Sequence, residues 1–262
     1  MMFSNLRSLI FKLDPETAHN LAIKSLRLNF IPNILDEDKE NPLFKTKLFS
    51  RDMDNPIGMA AGFDKNAEVY NSLFKLGFGF VEVGTVTPLK QYGNPKPRVF
   101  RLVEDEALIN RLGFNNCGAK NVLDRIRSNR QNGLLGINIG PNKDTENRLN
   151  DYIECLKTFY EVADYITVNI SSPNTKDLRN FHEQTKLNEL LETIDKEKKI
   201  LNSKVPIAVK VSPDIEDQEI HKICEVLLNN NIEVIIISNS SDSSRETLNN
   251  IQKHQKGGLS GK

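Results

Sequence analysis

Polar and glycine-rich clusters follow six short apolar segments of the 262-residue chain, and these clusters hold residue types that could do chemistry. They are Gly62-Phe63-Asp64-Lys65, Gly84-Thr85, Asn138, Asn169 with Ser171-Ser172, Lys210 with Ser212, and Ser238-Asn239-Ser240. A lysine can form a Schiff base with a carbonyl substrate or place a cation beside a cofactor. Asparagine and serine can hydrogen-bond a small polar ligand, but they are also common in plain turns. The residue types alone therefore leave several kinds of enzyme open.

The six apolar segments predict buried strands, because they are short, rich in β-branched residues and apolar on both faces. They are residues 56–61, 80–86, 134–139, 165–170, 207–211 and 234–237. Stretches with helical spacing lie between them, at residues 68–76, 119–128, 146–159, 187–201 and 217–228. Strands that alternate with helices predict an α/β protein with a parallel sheet and right-handed crossovers.

Two architectures fit this alternation, an open doubly wound sheet and a closed (β/α)8 TIM-type barrel. In a barrel the carboxyl ends of all strands converge on one rim, whereas an open sheet concentrates function at one switch point. Polar or glycine-rich clusters at the ends of all six strands favour the barrel. A closed barrel has eight strands, and six are recognisable before the glycine-rich residues 257–262. We therefore expect a barrel truncated after its sixth strand.

Composition narrows the classes of function. The 35 basic and 35 acidic residues cancel, so no overall charge attracts nucleic acid, and we expect no nucleic-acid partner. No apolar run approaches the roughly 20 residues that span a bilayer. The three cysteines and four histidines are scattered, which predicts reduced thiols and no metal site.

The segment before the first strand differs from the rest. Apolar residues at helical spacing predict two short amphipathic helices, one through Phe3, Leu6 and Leu9 and a second that starts with Asp14 as N-cap and Pro15 in the first turn. These helices either pack on the barrel or lie on a membrane surface. We expect residues 1–40 to form a helical extension and residues 41–262 an incomplete cofactor-binding barrel.

Eight motifs together are more specific than any of these features. They are MAAGFDKNAE, VEVGTVTP, QYGNPKPRVFRL, INRLGFNNCG, INIGPNKDT, ADYITVNISSPNTKDLR, PIAVKVSPD and GGLSGK. In order and spacing they resemble dihydroorotate dehydrogenase over essentially the whole chain. The N-terminal LIFKLDPETAH is similar to the helical extension of class 2 members, which sit on the membrane and pass electrons to a quinone.

The resemblance implies an oxidoreductase that converts (S)-dihydroorotate to orotate in de novo pyrimidine (UMP) biosynthesis. Its cofactor would be FMN, which accepts a hydride at N5 and carries the redox chemistry. Its electron acceptor would be a membrane quinone, and its place the cytoplasmic face of the cell membrane as a peripheral protein, bound through the N-terminal helices.

The resemblance also implies site residues. The base that removes the C5 proton falls on Ser172, where class 1 members carry cysteine. The substrate would contact Lys65, Asn110, Arg111, Leu112, Gly113, Phe114, Asn169, Asn174, Asn239 and Ser240. The flavin would contact Ala61, Gly62, Phe63, Asp64, Lys65, Thr85, Asn138, Asn169, Lys210, Ser238 and Gly261.

Three departures from the family pattern keep alternatives open. Ser238-Asn239-Ser240-Ser241 replaces the usual Thr-Asn-Thr-Thr, and Asp177 replaces a frequent glycine. The glycine-rich loops that bind the flavin phosphate after the last two strands do not follow in this sequence. The alternatives are an inactive truncated remnant of the family and an aldolase-type barrel that uses Lys210 covalently.

Overall fold

The computed structural model describes residues 7, 10–28, 42–130, 133–243 and 245–261. The strands in these ranges are Thr46–Leu48 (β1), Arg51–Met53 (β2), Gly58–Met59 (β3), Phe80–Val86 (β4), Val99–Leu102 (β5), Ala107–Asn110 (β6), Leu134–Ile139 (β7), Tyr165–Asn169 (β8), Ile207–Val211 (β9), Val234–Ile237 (β10) and Gly258–Gly261 (β11). The α-helices are Pro15–Arg27 (α1), Tyr70–Lys75 (α2), Ala119–Asn129 (α3), Arg148–Phe159 (α4), Gln184–Ile200 (α5) and Asp217–Asn229 (α6).

The main sheet is parallel and has six strands in the order β10-β9-β8-β7-β4-β3. Helices α2 to α6 connect its strands and cover its outer face, where Val83, Ile137 and Val168 pack in the main hydrophobic core with helix residues such as Ile126 and Leu156. This is the α/β architecture of the TIM-barrel family that the strand and helix alternation predicts. Within the described residues β3 and β10 each pair with one neighbouring strand.

The predicted strand positions agree closely with the structure. Four strands have the predicted bounds, while β3 is confined to two residues and β8 ends at Asn169. Helix α2 begins two residues later than predicted, at Tyr70. The reason is local, because the carboxylate of Asp64 accepts hydrogen bonds from the backbone N–H groups of Glu68 at 2.8 Å and Val69 at 2.7 Å and holds them outside the helix.

The inner face of the sheet is layered, which the prediction of strands apolar on both faces did not include. At the amino ends of the strands, Leu134 and Tyr165 pack together with Met53 of β2. The side chains of Glu82 and Asn138 bond to each other in the next layer, and Asn169 stands opposite Lys210 nearest the carboxyl ends. Because side chains alternate along a strand, apolar residues face the helices while these polar residues face inward.

Helix α1 starts as predicted. The side chain of Asp14 accepts a hydrogen bond from the N–H of Thr17 at 2.9 Å, and Pro15 occupies the first turn. The helix packs against β5 and α2, where the hydroxyl of Ser72 donates to the carbonyl of Leu26 at 2.8 Å. The helix predicted through Phe3, Leu6 and Leu9 lies outside the described residues, as do residues 29–40 of the predicted extension. In the part of the chain that the structure describes, no helix is long and apolar enough to cross a bilayer.

Two small antiparallel sheets lie at opposite ends of the main sheet, and the sequence prediction missed both. Strands β1 and β2 form a hairpin beside the amino ends of the parallel strands. Strands β5, β6 and β11 form a three-stranded sheet in the order β11-β6-β5. Their strands are three or four residues long, and β11 joins from far along the chain, so no local pattern indicates the pairing.

Candidate active site

A cavity of about 630 Å³ lies at the carboxyl ends of the parallel strands, on the rim where the sequence places its chemistry. Most of the predicted site residues line it: Ala61, Gly62, Phe63, Asp64, Lys65, Thr85, Asn110, Leu112, Gly113, Phe114, Asn169, Ser172, Asn174, Lys210, Ser238, Asn239 and Ser240. Residues that are far apart in the sequence therefore face one space of the size that small-molecule ligands occupy.

Three predicted site residues do not line this cavity. The guanidinium of Arg111 donates to the side chain of Gln255 at 2.9 Å and to the carbonyl of Pro97 at 2.9 Å, and it stacks on Phe100. The side chain of Asn138 is fully buried in the layer beneath the cavity. Gly261 lies in β11 with a backbone φ of +139°. The structure does not test the binding roles of these residues, which stay predictions.

The loop after β3 forms one wall of the cavity. The N–H of Gly62 donates to the carbonyl of Gly84 at 2.9 Å, and the N–H of Gly84 donates to the carbonyl of Asp64 at 3.0 Å. Gly62 has a φ of +117°, and a Cβ at this position would meet no atom within 4 Å. The glycine thus permits the backbone conformation and leaves open space beside it, so that a ligand can approach the main chain closely.

Two lysines face the cavity. Lys210 is 9% exposed, and the half-buried Lys65 stands on the loop after β3. Burial, followed by the charges of Arg98 and Lys210, lowers the pKa of Lys65 to about 8. Within the described residues, no carboxylate lies within 4.0 Å of either ammonium group. Two such cations in one cavity favour an anionic ligand.

Ser172 lies on the loop that follows β8 and is 5% exposed. Its hydroxyl oxygen accepts a hydrogen bond from the backbone N–H of Asn174 at 3.2 Å. Behind the loop, the guanidinium of Arg179 donates to the carbonyl of Ser171 at 3.2 Å and pairs with Asp214 at 3.0 Å. The loop is thus held from outside while the Ser172 hydroxyl faces the cavity, largely shielded from bulk water.

Asparagine amides surround the same space. The Nδ2 of Asn174 donates to the carbonyl of Asn110 at 3.1 Å, and the Nδ2 of Asn239 donates to the hydroxyl of Ser171 at 2.8 Å. Strand β11 closes tightly over Ser240, because a Cβ at Gly258 would lie 1.9 Å from the Ser240 hydroxyl. The amides are therefore held by protein contacts and can offer donors and acceptors to a small polar ring.

Helix α1 and strands β5 and β6 supply cavity residues that the sequence analysis missed. Glu16, His19 and Ile23 of α1 line the cavity together with Val99 and Leu108. The His19 ring contacts the ring of Phe63 edge-on at 5.2 Å, and burial, followed by the charge of Lys65, lowers the pKa of His19. Helix α1 therefore contributes both polar and apolar side chains to the cavity wall, and Lys65 lies close enough to it for its charge to affect His19.

Several known proteins are similar to this chain. Residues 43–262 match the family model described as dihydroorotate dehydrogenase. A dihydroorotate dehydrogenase (quinone) of Teredinibacter turnerae is 44% identical over 271 residues, which cover 100% of this chain and 79% of the relative. One from Bartonella tribocorum is 47% identical over 263 residues, which cover 98% of this chain and 71% of the relative.

Solved structures agree with these sequence matches. The crystal structure of the Eimeria tenella dihydroorotate dehydrogenase in complex with ferulenol superposes with a TM-score of 0.90 at 37% identity, and the match covers 95% of this chain and 73% of that chain. The ligand-free form of that protein also has a TM-score of 0.90. The family model, the relatives and the solved structures agree, and the chain belongs to the dihydroorotate dehydrogenase family.

Proposed function

We propose that this chain oxidises (S)-dihydroorotate to orotate in de novo pyrimidine biosynthesis, with FMN as its bound flavin and a quinone as electron acceptor. The observation that carries the proposal is the meeting of Ser172, Lys65, Lys210 and several asparagine amides in one cavity at the strand ends. The names of the relatives, which are dihydroorotate dehydrogenases (quinone), supply the substrate and the acceptor.

The lysines and asparagines explain the choice of substrate. Dihydroorotate is a small ring that bears a carboxylate, two carbonyl oxygens and two ring N–H groups. Lys65 offers its cation to the carboxylate. The amides of Asn110, Asn174 and Asn239 supply hydrogen-bond donors and acceptors around the ring.

Ser172 is the proposed base. Oxidation removes a proton from C5 and a hydride from C6, which leaves the C5=C6 double bond of orotate. A serine hydroxyl is a weak base, so its position and its surroundings decide whether it can take the proton. The backbone N–H of Asn174 orients the Ser172 oxygen at 3.2 Å, and the low exposure of this side chain keeps bulk water away.

The cavity fits a flavin. The open space beside Gly62 allows a flat ring to approach the main chain, and Thr85 and Asn169 offer polar groups at its edge. When bound, FMN would supply the acceptor for the hydride. Lys210 would place its positive charge next to the ring system, where it favours an anionic form.

We propose that the quinone approaches the cavity beside helix α1 and that the membrane lies on this side of the molecule. The cavity extends from Ser172 to apolar side chains of α1, β5 and β6, including Ile23, Val99 and Leu108. An apolar acceptor would approach along these apolar side chains while the substrate lies between Ser172 and the asparagine amides. We propose that residues 1–40 form a unit that lies on the cytoplasmic face of the cell membrane and that residues 41–262 form the flavin-binding unit.

The visible absorbance spectrum tests this function. The purified chain is mixed with FMN, freed of unbound flavin, and then given dihydroorotate without oxygen. We expect retained flavin that bleaches on addition of the substrate. Flavin that washes away, or that stays yellow, would leave the inactive remnant as the better description. A borohydride-trapped adduct on Lys210 with a keto acid would instead favour the aldolase-type reaction.

Ser172→Ala provides the matched control. Because Ser172 takes the proton but contributes little to holding the ring, we expect flavin reduction to slow by about 100-fold or more. The dissociation constant of orotate should stay within about threefold of the wild-type value. Equal losses in both quantities would mean that Ser172 binds the substrate and is not its base.

A further inference from the structure

A chain of side-chain hydrogen bonds runs from the cavity wall into the sheet. At the cavity, the Nδ2 of Asn239 donates to the hydroxyl of Ser171 at 2.8 Å, and this hydroxyl donates to the Oδ1 of Asn169 at 2.6 Å. The Nδ2 of Asn169 then donates to the hydroxyl of Thr85 at 3.0 Å, and Thr85 donates to the Oδ1 of Asn138 at 2.6 Å. Each amide thus accepts a hydrogen bond on its oxygen and donates one from its nitrogen.

This series of hydrogen bonds ends at Glu82, which is 4% exposed on the inner face of β4. Its Oε1 accepts from the Nδ2 of Asn138 at 2.9 Å. Its Oε2 accepts from the hydroxyls of Tyr165 at 3.0 Å and Thr167 at 2.8 Å. Both carboxylate oxygens of Glu82 are acceptors in these contacts. Every donor of the chain therefore points toward Glu82, which is its final acceptor.

The carboxylate of Glu82 determines the orientation of the asparagine amides. The two ends of an asparagine amide have nearly the same shape, so packing alone does not choose between them. Next to a carboxylate, Asn138 must turn its NH2 group toward Glu82, because its oxygen would otherwise face a second acceptor. The Asn138 oxygen then receives the Thr85 proton, and the same constraint passes through Asn169 to Ser171.

The last amide of the chain lines the cavity. One N–H of Asn239 goes to Ser171, and the Oδ1 of Asn239 accepts from the backbone N–H of Ser240 at 2.7 Å. The amide oxygen is therefore engaged, and among the described residues the second N–H of Asn239 has no acceptor, which leaves it for a ligand.

We propose that Glu82 is a positioning residue that sets the direction of this chain and so makes Asn239 present a donor to a carbonyl oxygen of the substrate ring. The inference rests on the proposed function and deepens it, since it names the group that Asn239 recognises. Glu82 itself lies beneath the cavity and does not line it.

Exchanging the two ends of the Glu82–Asn138 contact tests the proposal. In Glu82→Gln, the new amide can turn either end toward Asn138, so we expect orotate to bind about tenfold more weakly. In Asn138→Asp, two carboxylates face each other, and the loss should be larger. In the double variant, the new amide at position 82 donates to the new carboxylate at position 138, which can still accept from Thr85 and Asn169. We expect this variant to bind orotate within about threefold of wild type.

Tyr165→Phe is the matched control, because it removes a donor from Glu82 on the side away from Asn138. It should lower the free energy of unfolding and leave orotate binding unchanged. Binding is measured by calorimetry, and unfolding by denaturant titration without flavin or ligand. Wild-type affinity in Glu82→Gln, or a double variant no better than Asn138→Asp, would overturn the proposal.

The unfolding series separates this inference from the proposed function. If the wild-type chain binds no orotate, the proposed function fails, and the unfolding measurements alone decide about Glu82. If Glu82 sets the direction of the hydrogen bonds, the double variant should be more stable than the sum of the two single changes predicts. Additive effects would show that Glu82 and Asn138 do not determine each other's orientation.

Discussion

Lys65 illustrates how a single residue carries information about its ligand. Its ammonium group stands in a cavity with Lys210 and near Arg98, and these cations together with burial lower its pKa to about 8. A bound carboxylate would act in the opposite direction, because an opposite charge favours the protonated lysine. The protonation of Lys65 and the binding of an anion are therefore linked.

We expect orotate to bind more weakly as the pH rises through about 8. Below this value Lys65 is protonated and attracts the carboxylate, and above it the free protein must first take up a proton. The affinity should then fall by up to about tenfold per pH unit. Orotate titrations between about pH 6.5 and 9.5 would measure this. Lys65→Met should bind weakly at every pH, and a wild-type affinity that stays constant would contradict the assignment.

At the scale of elements, a largely buried charged contact between Glu16 and Arg98 joins helix α1 to the barrel. The guanidinium of Arg98 donates to both carboxylate oxygens of Glu16, at 3.0 Å and 2.6 Å. The side chains of Glu16 and Arg98 are 13% and 7% exposed. The Arg98 hydrogen bond is the main reason why the pKa of Glu16 lies below its ordinary value. Removing this carboxylate leaves a largely buried guanidinium without its counter-charge, while the carbonyls of Tyr92 and Asn94 still accept from it.

Glu16→Ala should release α1 from the barrel. A hydrogen bond to a charged group contributes about 2 kcal/mol, so proteolytic cleavage within residues 15–27 should become at least about tenfold faster. Asp52→Ala removes an exposed pair with Lys47 and should leave the cleavage rate unchanged. An unchanged rate in Glu16→Ala would mean that the other contacts of the helix, such as Ser72 with Leu26, hold it in place.

The same contact predicts a pH dependence of α1 docking. Glu16 has a depressed pKa in the folded protein, so its contribution is present above the unfolded value, for which 4.5 is the reference, and is lost as the pH falls through the lower folded value. Cleavage of α1 should therefore accelerate below about pH 4.5 in wild type and show a smaller response in Glu16→Ala.

At the scale of the whole molecule, the two ends of the main sheet differ in polarity. The carboxyl end holds the polar cavity, and the amino end is filled by an apolar cluster beneath the β1–β2 hairpin. Met53 of this hairpin is 8% exposed and packs with Leu134, Tyr165 and Ala208. The hairpin thus removes apolar surface from water at the end of the sheet opposite the cavity.

Met53→Ala should destabilise the molecule without altering ligand binding. The cavity it creates should cost about 2–4 kcal/mol in the free energy of unfolding. Leu228→Ala is the control, because Leu228 is 73% exposed, and its effect should stay within about 0.5 kcal/mol. A loss of orotate affinity in Met53→Ala would show that the two ends of the sheet are coupled.

The sequence by itself determined the parallel strands, the approximate positions of the helices between them and the family. Apolar runs such as residues 134–139 and the N-cap of Asp14 are local signals, and local chemistry is sufficient to recognise them. The motifs also identified most residues that line the cavity, because residues at the ends of parallel strands meet wherever the sheet forms.

Tertiary structure alone decided where long-range partners meet. The pairing of β11 with β6, the contact of Glu16 with Arg98 and the acceptor role of Glu82 each join residues far apart in the chain. A glutamate inside VEVGTVTP is visible in the sequence as a charge within an apolar strand, but its partners Asn138 and Tyr165 are not. Arg111 turns away from the cavity for the same reason, since Gln255 and Pro97, which compete for its guanidinium, come close to it only in the folded chain.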